Sequence, residues 1–245
     1  IKSGKHLFVE KPMASSVTET DNMIDAALTS GVKIFVGHIL NYHACVIALK
    51  QWLLVSGERI QTIYSERGRL MLPPDHPPVS PDVSQFSDVL WDLGPHDISV
   101  ILSLIGRCPS MDISAISIPN WEIIASMTFS DDQRAVSRWT RLSVSKKASY
   151  TITTQNYIIE LDDTVSNILD KLTVIHRHER GDDIPIPDLL TPSNVWTHSP
   201  LKNELLAMCV YFERDVTPLT TGYEGRRVVS ILETIDELIK VGAME

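Results

Sequence analysis

The apolar residues of the first 37 positions form three segments. A short run at 6–9 is followed by a helical pattern that begins near 15–18 and stops at Gly31, and a second short run follows at 33–37. Short apolar runs bounded by turn residues predict buried strands, and an apolar face that recurs every three or four residues predicts a helix. A strand, a helix and a strand in that order form a βαβ unit, in which the two strands are parallel.

The next part of the chain mixes helical and extended patterns. Residues 44–55 predict a helix that Gly57 ends, residues 61–72 predict a strand, and an apolar helix runs up to Ile105. The segment 73–84 contains five prolines and predicts a loop. A loop of this length is a lid or binding loop in some proteins and a passive surface segment in others, and both interpretations stay open.

From Met111 onward the chain is rich in threonine, isoleucine, valine and tyrosine, with turn residues at 119–120, 131–132 and 145–147. This spacing predicts an antiparallel meander with strands at 111–119, 122–130, 134–144, 148–154, 157–161 and 172–178. Two helices are predicted at 200–212 and at about 224–241. We therefore expect a small parallel α/β segment up to Gly37, followed by an α+β domain with an open, mainly antiparallel β-sheet.

The overall composition narrows the range of partners. The chain has 245 residues and a net charge of −9, so we expect no nucleic-acid partner. It contains neither a run of 18 apolar residues nor a signal-peptide pattern, so we expect no membrane partner. Its three cysteines are far apart and suit neither a disulfide framework nor a zinc site, which favours a cytoplasmic location.

The candidate chemistry centres on Asp92 and His96, directly before an apolar run. If the segment is helical from Asp92, the two side chains share one face. If the helix begins later, Gly94 is a suitable N-cap and Pro95 a suitable first residue. Either geometry pairs a carboxylate with a titratable imidazole, which suits proton transfer. The structural alternative is that Asp92 caps the helix and His96 is a half-buried packing residue.

Lys11 directly follows the first predicted strand and lies between Glu10 and Pro12. Ligands bind at the carboxyl ends of strands in open α/β sheets, and a shielded lysine exchanges protons near neutral pH. The alternative is a surface Glu-Lys pair, and the bond before Pro12 is a candidate for the cis form. Together with Asp92 and His96, Lys11 could take a proton from a substrate hydroxyl while a hydride leaves its carbon.

Other chemistries have less support in the sequence. There is no H-E-x-x-H motif, no cysteine cluster and no G-x-S-x-G elbow. His176 and His178 lie two residues apart, but without a zinc motif they are interpreted as strand residues, and we expect no metal site. The glycines never form G-x-G-x-x-G, the fingerprint of a dinucleotide-binding loop.

Several motifs nevertheless occur together: E-K-P at 10–12, V-G-H at 36–38, D-L-G-P-H-D at 92–97, P-L-x-x-E-L at 200–205 and G-x-E-G-R-R at 222–227. In this order and at these separations they resemble the glucose–fructose oxidoreductase/inositol dehydrogenase (Gfo/Idh/MocA-like) family of NAD(P)-dependent oxidoreductases. The resemblance implies the remnant of a Rossmann domain at residues 1–37. A substrate and oligomerisation domain would follow at 38–245, with the last helix packing back on the Rossmann part.

The resemblance also implies roles for individual residues. Lys11 would hydrogen-bond the reacting hydroxyl, Asp92 would orient the substrate and the lysine, and His96 would accept the proton. The expected cofactor is NAD or NADP, and its nicotinamide end would lie beside Glu10, Lys11, Pro12 and His38.

Two further positions would contact the substrate together with the catalytic residues. They are Asn41 and Tyr42, which stand where the family often has Arg-Phe, so one cation that contacts the sugar is absent. The substrate implied by the resemblance is a small molecule, namely a sugar, a sugar nucleotide or a cyclitol. The protein would form a homodimer or homotetramer through the antiparallel sheet.

Residue 1 corresponds to the tail of the family's Rossmann domain, so the first strand, the glycine loop and the ribose-binding carboxylate would precede it. Two functions therefore remain open at this point. One is an NAD(P)-dependent oxidoreductase, or a fragment of one. The other is a non-catalytic, truncated family member that acts as an oligomerisation or sugar-binding module.

Overall fold

The computed structural model describes residues 1, 3–68, 85–106, 110–118, 121–168, 171–177 and 199–242. The proline-rich loop predicted at 73–84 and His178 lie outside these residues. Strands β1 (Leu7–Val9) and β2 (Ile34–Val36) pair in parallel, and helix α1 (Val17–Thr29) connects them. The predicted βαβ unit is therefore confirmed.

Local sequence explains where α1 begins. The Ser16 hydroxyl accepts a hydrogen bond from the backbone N–H of Glu19, and the Glu19 carboxylate accepts one from the backbone N–H of Ser15 at 3.0 Å. This reciprocal pair satisfies N–H groups that have no partner within the helix. A short 3-10 helix (Ile39–Tyr42) and α2 (Ala44–Ser56) follow, and α2 ends at Gly57 with φ +71°.

The second sheet contains seven strands in the order β4-β5-β6-β3-β7-β8-β9. They are β3 (Ile60–Gly68), β4 (Met111–Ile118), β5 (Glu122–Phe129), β6 (Arg134–Thr140), β7 (Lys147–Thr154), β8 (Tyr157–Asp162) and β9 (Leu172–His176). Each predicted strand has a counterpart, but β6 ends at Thr140 and not at 144, and residues 69–72 and 119 of the predicted strands lie outside the described residues. The sheet is open and mainly antiparallel as expected.

The prediction of a simple meander is wrong at one place, because β3 lies between β6 and β7. It pairs in parallel with β6 and antiparallel with β7. The inner face of β3 explains this position, since the hydroxyls of Ser65 and Ser137 are both buried and bond each other at 2.8 Å. A buried hydroxyl needs such a partner, and an edge position would leave Ser65 without this neighbour.

Helix α3 (Gln85–Ile105) begins before Asp92 and not at Pro95. Gly94 is therefore no N-cap and Pro95 no first residue, while the alternative of a helix that already includes Asp92 is confirmed. Pro95 has no N–H for the carbonyl four residues earlier. Burial of apolar side chains on both sides of the proline keeps the helix continuous; they include Val89, Leu90, Ile98 and Ile101.

Helices α4 (Pro200–Arg214) and α5 (Gly222–Gly242) complete the described chain, and α5 joins its two apolar cores. Val229 belongs to the small core around α1 and the parallel strands. Leu232 and Ile235 belong to the large core between α3 and the seven-stranded sheet. One face of this sheet packs on the helices, while its outer face exposes Ile116 and Tyr64.

Candidate active site

The carboxyl ends of β1 and β2 bring two predicted site segments together. The backbone N–H of Gly37, directly after β2, donates to the carbonyl of Val9 at 2.8 Å, so the two chain segments leave the sheet side by side. A Cβ at Gly37 would lie 3.2 Å from the Glu10 carboxylate and 3.1 Å from the Phe8 ring. Glycine thus permits the close approach of Glu10 to this edge.

Lys11 connects the parallel strands to α3. The peptide bond between Lys11 and Pro12 is cis, as the sequence suggested. The Lys11 ammonium donates to the backbone carbonyl of Asp92 at 2.7 Å and lies 3.4 Å from its carboxylate. Residues 81 positions apart in the sequence therefore form one charged pair.

Asp92 lies between two cations. Arg141, just after β6, donates to the second carboxylate oxygen of Asp92 at 2.5 Å. Burial alone would raise the pKa of Asp92, but the hydrogen bond from Arg141 and the charge of Lys11 outweigh it and lower the pKa. Asp92 is therefore an ionised carboxylate at neutral pH, and it holds Lys11 and Arg141 in place.

Two imidazoles lie close to this pair. Burial, then the charges of Lys11 and Arg67, lower the pKa of His96 to about 4. Burial, then the charges of His96 and Lys11, lower the pKa of His38 to about 3. Nδ1 of His96 and both ring nitrogens of His38 are buried without a hydrogen-bond partner among the described residues.

This arrangement is suited to accepting a proton. A neutral imidazole has a free lone pair on one ring nitrogen, and both histidines are neutral at pH 7. The ammonium of Lys11 can stabilise an alkoxide that develops beside it. The structure thus combines a proton acceptor, a hydrogen-bond donor and an orienting carboxylate at the ends of the parallel strands.

The neighbouring carboxylate, Asp97, has a different environment. It is fully buried and accepts hydrogen bonds from Arg67 at 2.7 Å, Trp139 at 2.9 Å and Tyr150 at 2.6 Å. These partners belong to β3, β6 and β7, so Asp97 fixes the rotation of α3 over the sheet. The backbone of His96, one residue earlier, is thereby fixed relative to the sheet.

The two further predicted substrate contacts, Asn41 and Tyr42, have no hydrogen bond or ring contact with Lys11 or Asp92 among the described residues. The Tyr42 ring stacks on Phe35, and its hydroxyl shares a hydrogen bond with Thr220 at 3.0 Å. Tyr42 is 2% exposed, and none of its described contacts involves Lys11 or Asp92. Asn41 is also buried, and its side-chain oxygen has no partner among the described residues.

Sequence reasoning missed three residues near the site: Arg67, Arg141 and Glu204. The alternation of side chains along β3 could have identified Arg67. Arg67 lies on the same inner face as Ile63, and a charged side chain on that face requires a buried partner. Burial and then the charge of Glu10 raise the pKa of Glu204, on α4, to about 7. Arg141 stands in no pattern that distinguishes it from a surface charge, whereas Glu204 is the glutamate of the P-L-x-x-E-L motif, which by itself assigns that residue no role.

Other candidate chemistries find no support in the described part of the chain. No group of three or more histidine, cysteine or acidic side chains there could hold a metal ion. His176 packs edge-on against the ring of Tyr157. Within the same residues, none of the helices combines the length and apolar character of a membrane span.

Comparison with known proteins gives a family for the first segment. Residues 1–38 match the family model described as "Oxidoreductase family, NAD-binding Rossmann fold", named Gfo/Idh/MocA. The matched segment contains β1, α1 and β2, and it ends at His38.

Solved structures match almost the whole chain. UDP-N-acetylglucosamine 3-dehydrogenase from Acidithiobacillus ferrooxidans has a TM-score of 0.74 and 20% identity, over 96% of this chain and 71% of that one. An aldose-aldose oxidoreductase from Caulobacter crescentus has a TM-score of 0.75 and 17% identity, over 98% of this chain and 72% of that one.

An inositol dehydrogenase homolog from Azotobacter vinelandii, complexed with NADH and myo-inositol, gives a TM-score of 0.75 and 14% identity, over 98% of this chain and 71% of that one. These likenesses establish the fold. They confirm the expected combination of part of a Rossmann domain with an α+β domain that carries an open sheet.

Proposed function

We propose that this chain is a member of the Gfo/Idh/MocA oxidoreductase family, whose model matches residues 1–38, and that it transfers a hydride between a nicotinamide cofactor and a hydroxyl or ketone carbon of a sugar, a sugar nucleotide or a cyclitol. The observation that carries the proposal is the convergence of Lys11, Asp92 and two neutral, buried imidazoles at the ends of the parallel strands. The substrates of the structural relatives support this substrate class.

Three residues of this chain would have distinct roles in the reaction. Lys11 donates a hydrogen bond to the oxygen of the reacting carbon, and Asp92 keeps Lys11 in position through the contacts at 2.7 and 3.4 Å. His96 accepts the hydroxyl proton during oxidation and returns it during reduction. The cofactor, when bound, supplies the hydride acceptor or donor.

The described residues fit the nicotinamide end of NAD or NADP. Gly37 allows the chain to run close to Glu10, and the buried nitrogens of His38 and His96 offer unused hydrogen-bonding groups. Pro12 follows Lys11 through a cis bond at the same edge. The 245 residues contain no G-x-G-x-x-G, so they offer no glycine loop for the pyrophosphate.

The proposal is tested by turnover with a panel of sugars, sugar nucleotides and cyclitols, with NAD⁺ and NADP⁺ in turn. His96→Gln should lower kcat by about 10²- to 10⁴-fold, because general-base catalysis contributes that much. Lys11→Met should lower kcat/KM for the same substrate.

Lys240→Met is the matched control, because Lys240 lies in the last turn of α5 and pairs with Asp236. Its turnover should equal that of the wild type. Unchanged kcat in a folded His96→Gln variant would refute the assignment of the proton acceptor.

The alternative function is a non-catalytic module for oligomerisation or sugar binding, and the exposed apolar residues on the outer face of the seven-stranded sheet are the observation that favours it. It predicts sugar binding, or self-association alone, without reduction of either nucleotide. Absence of turnover with the whole panel, in a protein that unfolds cooperatively, would favour this alternative.

We further propose that the outer face of the seven-stranded sheet forms the interface of a homodimer or homotetramer. Ile116 on β4 and Tyr64 on β3 are 67% and 41% exposed there, with β5 and β6 between them. Exposed apolar residues on a sheet face are typical of subunit contacts. Light scattering that shows a monomer at micromolar concentration would rule out this interface.

A further inference from the structure

A cavity of about 280 Å³ lies behind His38, between α2, the C-terminal half of α3 and the start of α5. Its size is close to the lower end of the range for small-molecule sites, which begins at about 300 Å³. His38 lines the cavity, and the charges of Lys11 and His96 act on the same imidazole. The cavity therefore adjoins the candidate active site without containing Lys11, Asp92 or His96.

Two side chains that line the cavity have unused hydrogen-bonding atoms. Asn41 is 2% exposed and His38 is 1% exposed. The side-chain oxygen of Asn41 and both ring nitrogens of His38 lack a partner among the described residues. Buried polar atoms without partners cost free energy, so a ligand or ordered water that binds them is favoured.

The same cavity is lined by two cations. Lys50 donates to the hydroxyl of Ser103 at 2.8 Å, and Arg227 donates to the carbonyl of Gly106 at 3.0 Å. Each of these bonds uses one N–H group, while an ammonium has three and a guanidinium has five. Both cations therefore keep donors for a further acceptor.

The carboxylate of Glu224, which also lines the cavity, already has hydrogen-bond partners. The carboxylate of Glu224 accepts hydrogen bonds from the backbone and the hydroxyl of Thr221 at the start of α5. Burial lowers the pKa of Lys50, which means that its charged form lacks sufficient stabilisation from its surroundings. An anion beside Lys50 and Arg227 would provide this stabilisation.

We propose that this cavity is a binding site for a small oxyanion that carries at least one hydroxyl hydrogen. The oxyanion accepts hydrogen bonds from Lys50 and Arg227, and its hydroxyl donates to the side-chain oxygen of Asn41. Phosphate in its protonated forms has this combination of groups. Lys11, Asp92 and His96 do not line this cavity, and phosphate binding is measured without cofactor or substrate, so the proposal stands or fails independently of the proposed function.

The test is equilibrium dialysis of the whole chain with radiolabelled inorganic phosphate at pH 7 and constant ionic strength. We expect saturable binding of one equivalent. Sulfate has a similar shape and charge but no hydroxyl hydrogen, so it should compete at least 10-fold more weakly than phosphate. Equal competition by sulfate would overturn the role of Asn41 as an acceptor, and with it the proposal.

Two variants test the cations separately. Lys50→Gln and Arg227→Gln should each weaken phosphate binding at least 10-fold. Arg226→Gln is the matched control, because this neighbouring arginine pairs with Asp21 on α1 and does not line the cavity. Its affinity for phosphate should equal that of the wild type.

Circular dichroism and thermal unfolding establish which variants are folded, and either folded cation variant is sufficient for the test. The proposal would be overturned if the wild-type protein bound no phosphate at concentrations up to about 10 mM, at which even a weak anion site with a millimolar dissociation constant is occupied. Equal affinity in the folded Lys50→Gln variant and the wild type would overturn it as well.

Discussion

The side chain of Lys11 links the parallel strands to α3. Its ammonium reaches a backbone carbonyl and a carboxylate of Asp92, while Arg141 holds the other carboxylate oxygen. Asp92 is half-exposed, so water screens these ion pairs and they contribute little to stability. Their role is to fix the position of Lys11 beside His96.

Asp97 contributes to stability far more than Asp92 does. Asp97→Ala would leave the buried guanidinium of Arg67 without its carboxylate and remove the acceptor of Trp139 and Tyr150. Breaking a buried ion pair in this way costs about 3–5 kcal/mol. The free energy of unfolding, measured in urea, should fall by that amount.

Asp131→Ala is the control for this measurement. Asp131 pairs with Arg59, and both side chains are more than half exposed. An exposed pair contributes about 0–1 kcal/mol. Equal losses for Asp97→Ala and Asp131→Ala would mean that the buried network does not stabilise α3 over the sheet.

The two neutral histidines predict how stability changes with pH. Folded, His96 and His38 have a pKa of about 4 and about 3, whereas an unfolded histidine has a pKa of about 6.5. Between these values the two imidazoles bind more protons in the unfolded chain than in the folded one, and together they outweigh Glu204, whose raised pKa acts in the opposite direction. Stability should therefore fall as the pH is lowered from about 6.5 toward 4, and it should be fully present above about 6.5.

The measurement is the urea midpoint at half-unit steps from pH 7.5 to 4. His38→Gln should make the curve less steep in this window, because one buried imidazole no longer titrates. His6→Gln, which alters an exposed ring, serves as the control. A His38 resonance that titrates near pH 6.5 by NMR would contradict the assignment.

Pairing between β3 and β6 depends on a glycine. A Cβ at Gly68 would lie 2.2 Å from the backbone carbonyl of Thr140, far inside contact distance. Gly68→Ala should therefore push the strand ends apart and lower the free energy of unfolding by about 1–3 kcal/mol. Because Arg141 follows Thr140, the contact between Arg141 and Asp92 should weaken as well.

Thermal and urea unfolding of Gly68→Ala measure this effect. Gly242→Ala is the control, because a Cβ there would meet no heavy atom within 4 Å. If both variants are as stable as the wild type, the register of β3 against β6 is wrong.

Periodicity in the sequence predicted most elements, and the exceptions have physical causes. Pro95 follows Gly94, and this pair is typical of a helix start, yet burial on both sides keeps α3 continuous through the proline. The insertion of β3 between β6 and β7 depends on contacts such as Ser65 with Ser137, which lie 72 residues apart. Spacing along the chain carries no information about such long-range partners.

The candidate site was predictable as far as its residues form local motifs. Lys11, Asp92 and His96 stand in short patterns whose chemistry suggests proton transfer. Arg141 does not, since a lone charged residue after a strand is usually solvated. Glu204 stands in the P-L-x-x-E-L motif, but that motif alone suggests no chemistry for it. Their proximity to the site follows from the fold and is invisible in the sequence.

Across the whole molecule, α5 determines how the two sheets are joined. It contributes Val229 to the small core and Leu232 to the large one, so both cores share one helix. Gly225 lets this helix lie close to β2, where a Cβ would be 2.8 Å from Val36 and 2.9 Å from Met13. The parallel strands are thereby held against the domain that carries Asp92 and His96.

Titration with NADH is the sharpest test of nicotinamide binding by this chain, because Trp91, next to Asp92, and the other tryptophans can transfer excitation energy to the nicotinamide. We expect saturable energy transfer that NAD⁺ or NADP⁺ reverses, and weaker transfer in Lys11→Met. Absence of transfer from a cooperatively folded chain would contradict hydride transfer by this chain, and the non-catalytic alternative would then describe it.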